Sequence, residues 1–253
     1  MLFRCIRSEL KVLGVVTGGI LQIVGHPIGL VLGGGTDLVV RDIGLDRSMI
    51  GGYGHDDRSC AFAELKAILD LDVIPSRTAV CVLTDKEETG SDGNTGLQSA
   101  YLKHFIADIA KTQGLCGRDV IRASECLSAD VNAGFDPTYP SVHDKRNAAF
   151  INKGIVVTKY TGSRGKSSTN DAHAEFMAKI RNLFDSADVA WQTGELGKVD
   201  EGGGGTVAKY IANHNIETVD LGVPVIAMHA PFEVISKVDL YESYRAFCAF
   251  CKF

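Results

Sequence analysis

Residues 78–88 read TAVCVLTDKEE. Six residues that are apolar or β-branched lead straight into a threonine and then three acids within four positions. A run of that length and kind predicts a buried strand, with the acids standing just beyond its C-terminal end. A polar, Gly-rich loop follows from Thr84 to Gly96, and then LQSAYLKHFIADIAKT (97–112), whose apolar residues recur at helical spacing. Upstream, Asp57 to Leu69 (DRSCAFAELKAIL) also has helical spacing, with Asp56 or Asp57 placed to cap its first turn. Downstream, Arg118 to Ser128 leads into a strand ending at Ala129-Asp130. GIVVTKY (154–160) reads as a strand and Asp171 to Phe184 as a helix. DEGGGG (200–205) opens the helix TVAKYIANHN, and the strand VPVIAM (223–228) precedes a terminal helix from about Lys237. Strands alternating with helices predict a three-layer α/β/α sandwich around a largely parallel, mixed central sheet. No repeat of solenoid period interrupts that pattern.

The first forty residues differ from the rest, and the domain is expected to span residues 41–253. Val12 to Gly35 carries no charge and is rich in Gly, and Arg4, Arg7 and Lys11 precede it. The flanking basic residues resemble a membrane anchor or signal, but the frequent glycines and His26-Pro27 favour Gly-broken strands or a remnant. Membrane attachment is therefore not expected. A net charge of −5 argues against a nucleic-acid partner, which would call for a basic face. Seven scattered cysteines point to reduced thiols in a cytoplasmic protein. The pair Cys248 and Cys251 lies among Phe247, Phe250 and Phe253 without a second pair, so packing rather than zinc is expected there.

In open α/β sheets, functional groups gather beyond the carboxyl ends of the strands. Three predicted strands end in ligand-type residues: TAVCVL in Glu87 and Glu88, the strand through Ser128 in Asp130, and VPVIAM in His229. Asp56 stands at a loop-to-helix junction. One imidazole and several carboxylates are donors of the kind that hold zinc, manganese or cobalt. Taken singly, each reads as a solvated loop residue or a cap; their recurrence at successive strand ends is the signal. Neighbouring side chains on a strand face opposite ways. Past the strand end, however, one of the two glutamates can ligate while the other acts as a base.

The segments DKEETGSDGNTGLQS (85–99), GGYGHDDRSCAF (51–62), SADVNAG (128–134), KYTGSRGKSS (159–168), DEGGGGT (200–206) and VPVIAMHAPFEV (223–234) together resemble the aspartyl aminopeptidase family of metallopeptidases. The resemblance runs from about Arg41 to the C-terminus with the motifs in family order. It implies a co-catalytic zinc exopeptidase fold and two metals per site. Asp56 would bridge the metals, Glu88 and His229 would complete one of them, and Asp130 would belong to the other. Glu87 would be the general base toward a metal-bound water. It also implies peptide substrates, with acidic N-terminal residues recognised by Arg164 and Lys166. Gly203 and Gly204 would let the substrate backbone approach closely, and the assembly would be a homo-oligomer.

The chain also departs from that family. Members are usually much longer, with an N-terminal His-x-Asp motif and an inserted dimerisation domain. Upstream of Arg41 the only histidine is His26, in GHPIG, with Ile28 where the Asp would stand. The expectation is a truncated member that retains three ligands for one metal (Asp56, Glu88, His229) and two for the other (Asp56, Asp130). The alternative is an impaired member serving as a non-catalytic metal-binding or assembly protein.

Overall fold

The computed structural model describes residues 10–17, 40–164 and 167–253. Lys166, His26 and most of the first forty residues, on which several expectations fall, lie outside that set. In chain order the strands are β1 (Leu10–Thr17), β2 (Arg41–Ile43), β3 (Met49–Gly52), β4 (Thr78–Thr84), β5 (Glu125–Ala129), β6 (Asn132–Ala133), β7 (Ile155–Thr158), β8 (Tyr160–Ser163), β9 (Ser167–Asp171), β10 (Trp191–Thr193), β11 (Glu217–Gly222), β12 (Pro224–Ile226) and β13 (Glu233–Ser236). The helices are α1 (His55–Leu69), α2 (Tyr101–Thr112), α3 (Gly117–Arg122), α4 (Ala174–Ser186), α5 (Ala208–Ala212) and α6 (Lys237–Lys252).

Period-two alternation along the strands builds the layers. Leu127 and Ala129 of β5, with Val219 and Leu221 of β11, face α1, α4 and α6; they meet Ala63, Phe176, Ile180, Phe184, Phe247 and Phe250 there. Cys126 of β5 and Val80 of β4 face the other way, onto Leu102, Ile106 and Ala110 of α2, Val120 of α3 and Ile211 of α5. Leu102, Ile106 and Ala110 recur every four residues, so one stripe of α2 is buried while Tyr101 and Phe105 face outward. Both faces of the sheet are thus covered, which is what strands apolar on both sides require.

The main sheet runs β10-β7-β11-β5-β1-β4. β4, β1, β5 and β11 are mutually parallel, while β7 runs antiparallel to β11 and is joined in parallel by β10. The expected α/β/α sandwich with a largely parallel, mixed sheet is therefore the observed one. TAVCVL lies at the margin of this sheet, so most of β4 is only half-buried. Its inner neighbour is β1, from the atypical N-terminal stretch, which pairs with both β4 and β5 and has an irregularity between Leu13 and Val15. GIVVTKY divides at Lys159: β7 stays in the sheet and β8 leaves it to pair with β9. Helix α2 begins at Tyr101 rather than Leu97, because Gln98 N–H and Ser99 N–H bond to Ser91 O and Gly96 O in a turn. Helix α6 starts at Lys237 as expected, where the Ser236 side chain accepts from Val238 N–H. Cys251 is buried and Cys248 half-buried on that helix, in keeping with a packing role. Among the described residues no helix is long and apolar enough to cross a membrane.

A second sheet, β2-β3-β13-β12-β6, is fused to the first. β5 continues into β6 and β11 into β12, and the ladder does not break between them. Asp130 N–H bonds to Leu221 O, Asn132 N–H to Val223 O, and Gly134 N–H to Val225 O. In the second sheet β13 pairs antiparallel with β3, Glu233 opposite Gly52 and Val234 opposite Gly51. The Phe232 ring and Ile43 lie across Gly51, where any Cβ would overlap both.

Gly222 sits where the ladder passes from one sheet to the other, and a Cβ there would fall well inside contact distance of the Asp130 carbonyl oxygen. Gly222→Ala should therefore destabilise the chain by about 1–3 kcal/mol through overpacking. That is a melting-point drop of several degrees at about 2–4 °C per kcal/mol. A variant that melts with the parent would show that the two strands do not approach this closely.

Candidate metal centre

Glu87 and Glu88 owe their positions to the way β4 ends. The chain turns at Lys86, whose φ is 68°, and a single 3-10 turn, Glu87–Thr89, closes on Gly90. Ser91 N–H bonds back to Lys86 O and fixes the loop. The two glutamates have therefore left the alternation of a strand, and both face one cavity of about 600 Å³. Glu87 is half-buried and Glu88 is exposed.

Asp56 and Asp57 were interchangeable as caps in the sequence; the structure separates them. Both have non-helical backbone angles, so the regular helix begins after them. Asp57 is the buried cap, its Oδ1 accepting from Cys60 N–H at 3.4 Å. Asp56 turns the other way, into the cavity. Its Oδ2 is 2.9 Å from His229 Nε2, and the same nitrogen is 3.0 Å from Glu88 Oε1. His229 lies past the end of β12 with φ 65°. One oxygen of Asp56, one of Glu88 and one imidazole nitrogen of His229 thus lie within 4.8 Å of one another, the group among the described residues suited to a cation. A mixed Asp, Glu and His donor set fits zinc. Asp130 directly follows β5 and lines the same cavity without joining that group.

The electrostatics are those of crowded carboxylates. Burial pushes the Asp56 pKa up to about 6, with His229 pulling it down and Glu88 and Glu233 pushing it further up. Burial, reinforced by Glu88 and Asp56, takes Glu87 up to about 7. Asp130 is also raised, first by burial of its carboxyl and then by the charges of Asp57, Asp56 and Glu87. Asp57 is raised for the same leading reason. A cation would relieve this repulsion.

On the remaining cavity wall Val131, Ala133, Val142, Leu196 and Met228 are apolar, with Asp136, Tyr139 and His143 also lining it. Gly203 and Gly204 line it as well. The Gly-rich segment is docked on β8, with Gly162 N–H bonding to Gly204 O and Arg164 N–H to Gly202 O, both at 2.9 Å. Thr206 at its end donates to the buried Asp220 of β11, whose other oxygen accepts from Asn170 of β9 at 2.9 Å. Arg164 is exposed and is not among the lining residues, and the described residues bring no lysine or arginine to that wall. Sequence reasoning also passed over Glu233. It is buried, and its carboxylate accepts from Asp56 N–H at 3.1 Å and from His229 N–H at 2.8 Å. The signal was there in HAPFEV: an acid four residues past the histidine, opening an apolar strand.

The profile of one family, described as aminopeptidase I zinc metalloprotease (M18), matches residues 37–251. A probable M18 family aminopeptidase 1 from Borrelia garinii is 48% identical over 218 residues, covering 84% of this chain and 48% of that protein. A probable M18 family aminopeptidase 1 from Clostridium acetobutylicum is 48% identical over 217 residues, 83% of this chain and 46% of that protein. Among solved structures, an M18 aminopeptidase from Thermotoga maritima superposes with a TM-score of 0.81 at 43% identity, covering 85% of this chain and 48% of that one. Aminopeptidase I from Clostridium acetobutylicum gives 0.80 at 47% identity, covering 85% and 46%. The chain spans about half the length of these relatives.

The raised pKa of Glu87 has a definite sign. A carboxyl whose folded pKa of about 7 exceeds its ordinary 4.5 contributes stability that is complete below 4.5 and is lost as pH rises through 7. In the metal-free protein, Glu87→Gln should therefore gain in melting temperature over the parent as pH goes from about 5 to about 8. A difference that stays constant across that range would remove the charge crowding at Glu87.

Proposed function

The chain belongs to the aminopeptidase I zinc metalloprotease family, M18, and from that premise we propose that it is a metal-dependent aminopeptidase releasing N-terminal residues from peptides. The observation that carries the reading is the convergence of Asp56 Oδ2, Glu88 Oε1 and His229 Nε2 at one end of the cavity. These three residues would hold a zinc ion; when bound, zinc polarises the scissile carbonyl and acidifies the attacking water.

The chain's own residues supply the rest. Glu87 faces the cavity beside the ligand group. From that place it can accept the proton of the attacking water and pass it to the leaving amine. The carboxylates at this end, Asp130 among them, suit the ammonium of a peptide's free N-terminus. Gly203 and Gly204 offer a wall without side chains, along which an extended peptide backbone can lie.

Among the described residues Asp130 and Asp56 are the donors proposed for a second metal, and two carboxylates hold an ion less well than three mixed ligands do. We therefore expect one tightly bound zinc per chain. Acidic N-terminal residues were expected through Arg164 and Lys166. The apolar wall of Val131, Val142, Leu196 and Met228 supports an uncharged apolar residue in that place instead.

Hydrolysis of leucyl- and glutamyl-p-nitroanilides with added zinc, manganese or cobalt tests the reading. Turnover of the leucyl substrate should exceed that of the glutamyl substrate. Glu87→Gln should lose about 10²–10⁴-fold in rate while keeping its metal, whereas His229→Ala and Glu88→Ala should lose the metal itself. Metal binding without turnover above the Glu87→Gln background would leave a non-catalytic metal-binding protein.

A further inference from the structure

Two of the three proposed ligands come from distant parts of the chain, and one buried side chain touches the backbone of both. Glu233 opens β13 and is 2% exposed. Its Oε2 accepts the N–H of Asp56, 177 positions earlier, and its Oε1 accepts the N–H of His229, four positions earlier. Each oxygen serves one ligand. The acceptors are those of a carboxylate, which makes both bonds charge-assisted and stronger than neutral ones.

The backbone at both ends needs such a tie. Asp56 sits in an irregular turn between β3 and the regular part of α1, outside any ladder. His229 follows the end of β12 and holds φ 65°, a left-handed conformation that costs a non-glycine residue about 1 kcal/mol or more. Its N–H would otherwise have no strand partner, because β12 has ended at Ile226. Glu233 is itself fixed, since β13 pairs with β3 and is flanked by β12 in the same sheet.

We propose that Glu233 is a positioning residue of the metal centre: its carboxylate sets the spacing between Asp56 and His229, so that their side chains meet at one point. This rests on the reading of Asp56, Glu88 and His229 as a metal site. Glu233 is not one of the ligands. It acts through the two main-chain N–H groups, and its negative charge lies close enough to favour a bound cation.

Glutamine at this position would keep one acceptor and turn an NH2 toward the other N–H, breaking one of the two bonds and opposing two donors. The test measures zinc affinity by competition with a chromophoric chelator and the visible spectrum of bound Co²⁺, on the purified chain. The same measurements are made on Glu233→Gln, Glu233→Asp and the control Glu242→Gln. Glu242 is also a buried carboxylate accepting a backbone N–H, that of Ala190 on the far side of the core. Glu233→Gln should bind zinc about 10–100-fold more weakly, with an altered cobalt spectrum. Glu233→Asp, which keeps the charge, should fall between it and the parent, and decides the matter if Glu233→Gln does not fold. Glu242→Gln should lower the melting point and keep parental affinity. Parental affinity in the folded Glu233 variants, or an equal loss in Glu242→Gln, overturns the proposal. A parent chain that binds no zinc overturns the metal-site reading first, and this proposal with it.

Discussion

Carboxylate repulsion in a half-dry cavity is the constraint around which this molecule is arranged. Asp56, Asp57, Glu87 and Asp130 all have their pKa values raised by burial and by neighbouring carboxylates. Left to themselves, such groups would splay into solvent or take up protons. They stay together because each is fixed by an element that packs for other reasons. Asp57 caps a helix whose opposite side is core, Asp130 directly follows a strand buried on both faces, and the glutamates sit on a turn locked by its own hydrogen bonds. Parallel strands bring their carboxyl ends to one side of a sheet, so this topology gathers such groups where an antiparallel meander would scatter them.

The opposite wall is held by a different device. Asp220 lies in the central sheet beneath the Gly-rich segment and ties it, through Thr206, to the β8–β9 hairpin through Asn170. A segment of four consecutive glycines has no side chains with which to anchor itself. A single buried carboxylate with two neutral donors supplies that anchor from below, and the backbone bonds to β8 supply it from the side. The acids and the bare Gly-rich backbone thus both line the cavity, beside its apolar residues.

Much of this was legible in the sequence, and the illegible parts share a physical cause. The strand-end acids, the histidine and the sandwich could be read because hydrophobic period and residue chemistry are local signals. Helical spacing alone could not separate Asp56 from Asp57 as caps, since the irregular backbone that turns one inward and the other outward leaves no compositional trace; the family resemblance had set Asp56 toward the metals and left Asp57 to cap the helix. TAVCVL looked buried because its residues are apolar, yet among the described strands it stands at the margin of the sheet and most of it is half-buried, with β1 drawn from the atypical N-terminal stretch beside it. Arg164 looked like a pocket group from its motif, but its backbone is spent on the Gly-rich segment while its side chain is exposed. Glu233 escaped notice because its significance lies in two main-chain partners, one of them 177 residues away.

The pairing of β13 with β3 carries an implication of its own. Side chains alternate along a strand, so a displacement of one residue would turn Glu233 from its burial and bring Val234 into its place. Such a molecule would lose the two main-chain bonds that Glu233 accepts from Asp56 and His229. Gly51 stands against that error. Only a residue without a Cβ lets the Phe232 ring and Ile43 close over it, so the native register is the one that sets Gly51 opposite Val234 with the Phe232 ring lying over it. The placement of Glu233 is in that sense a proofreading property of two short strands, decided by shape.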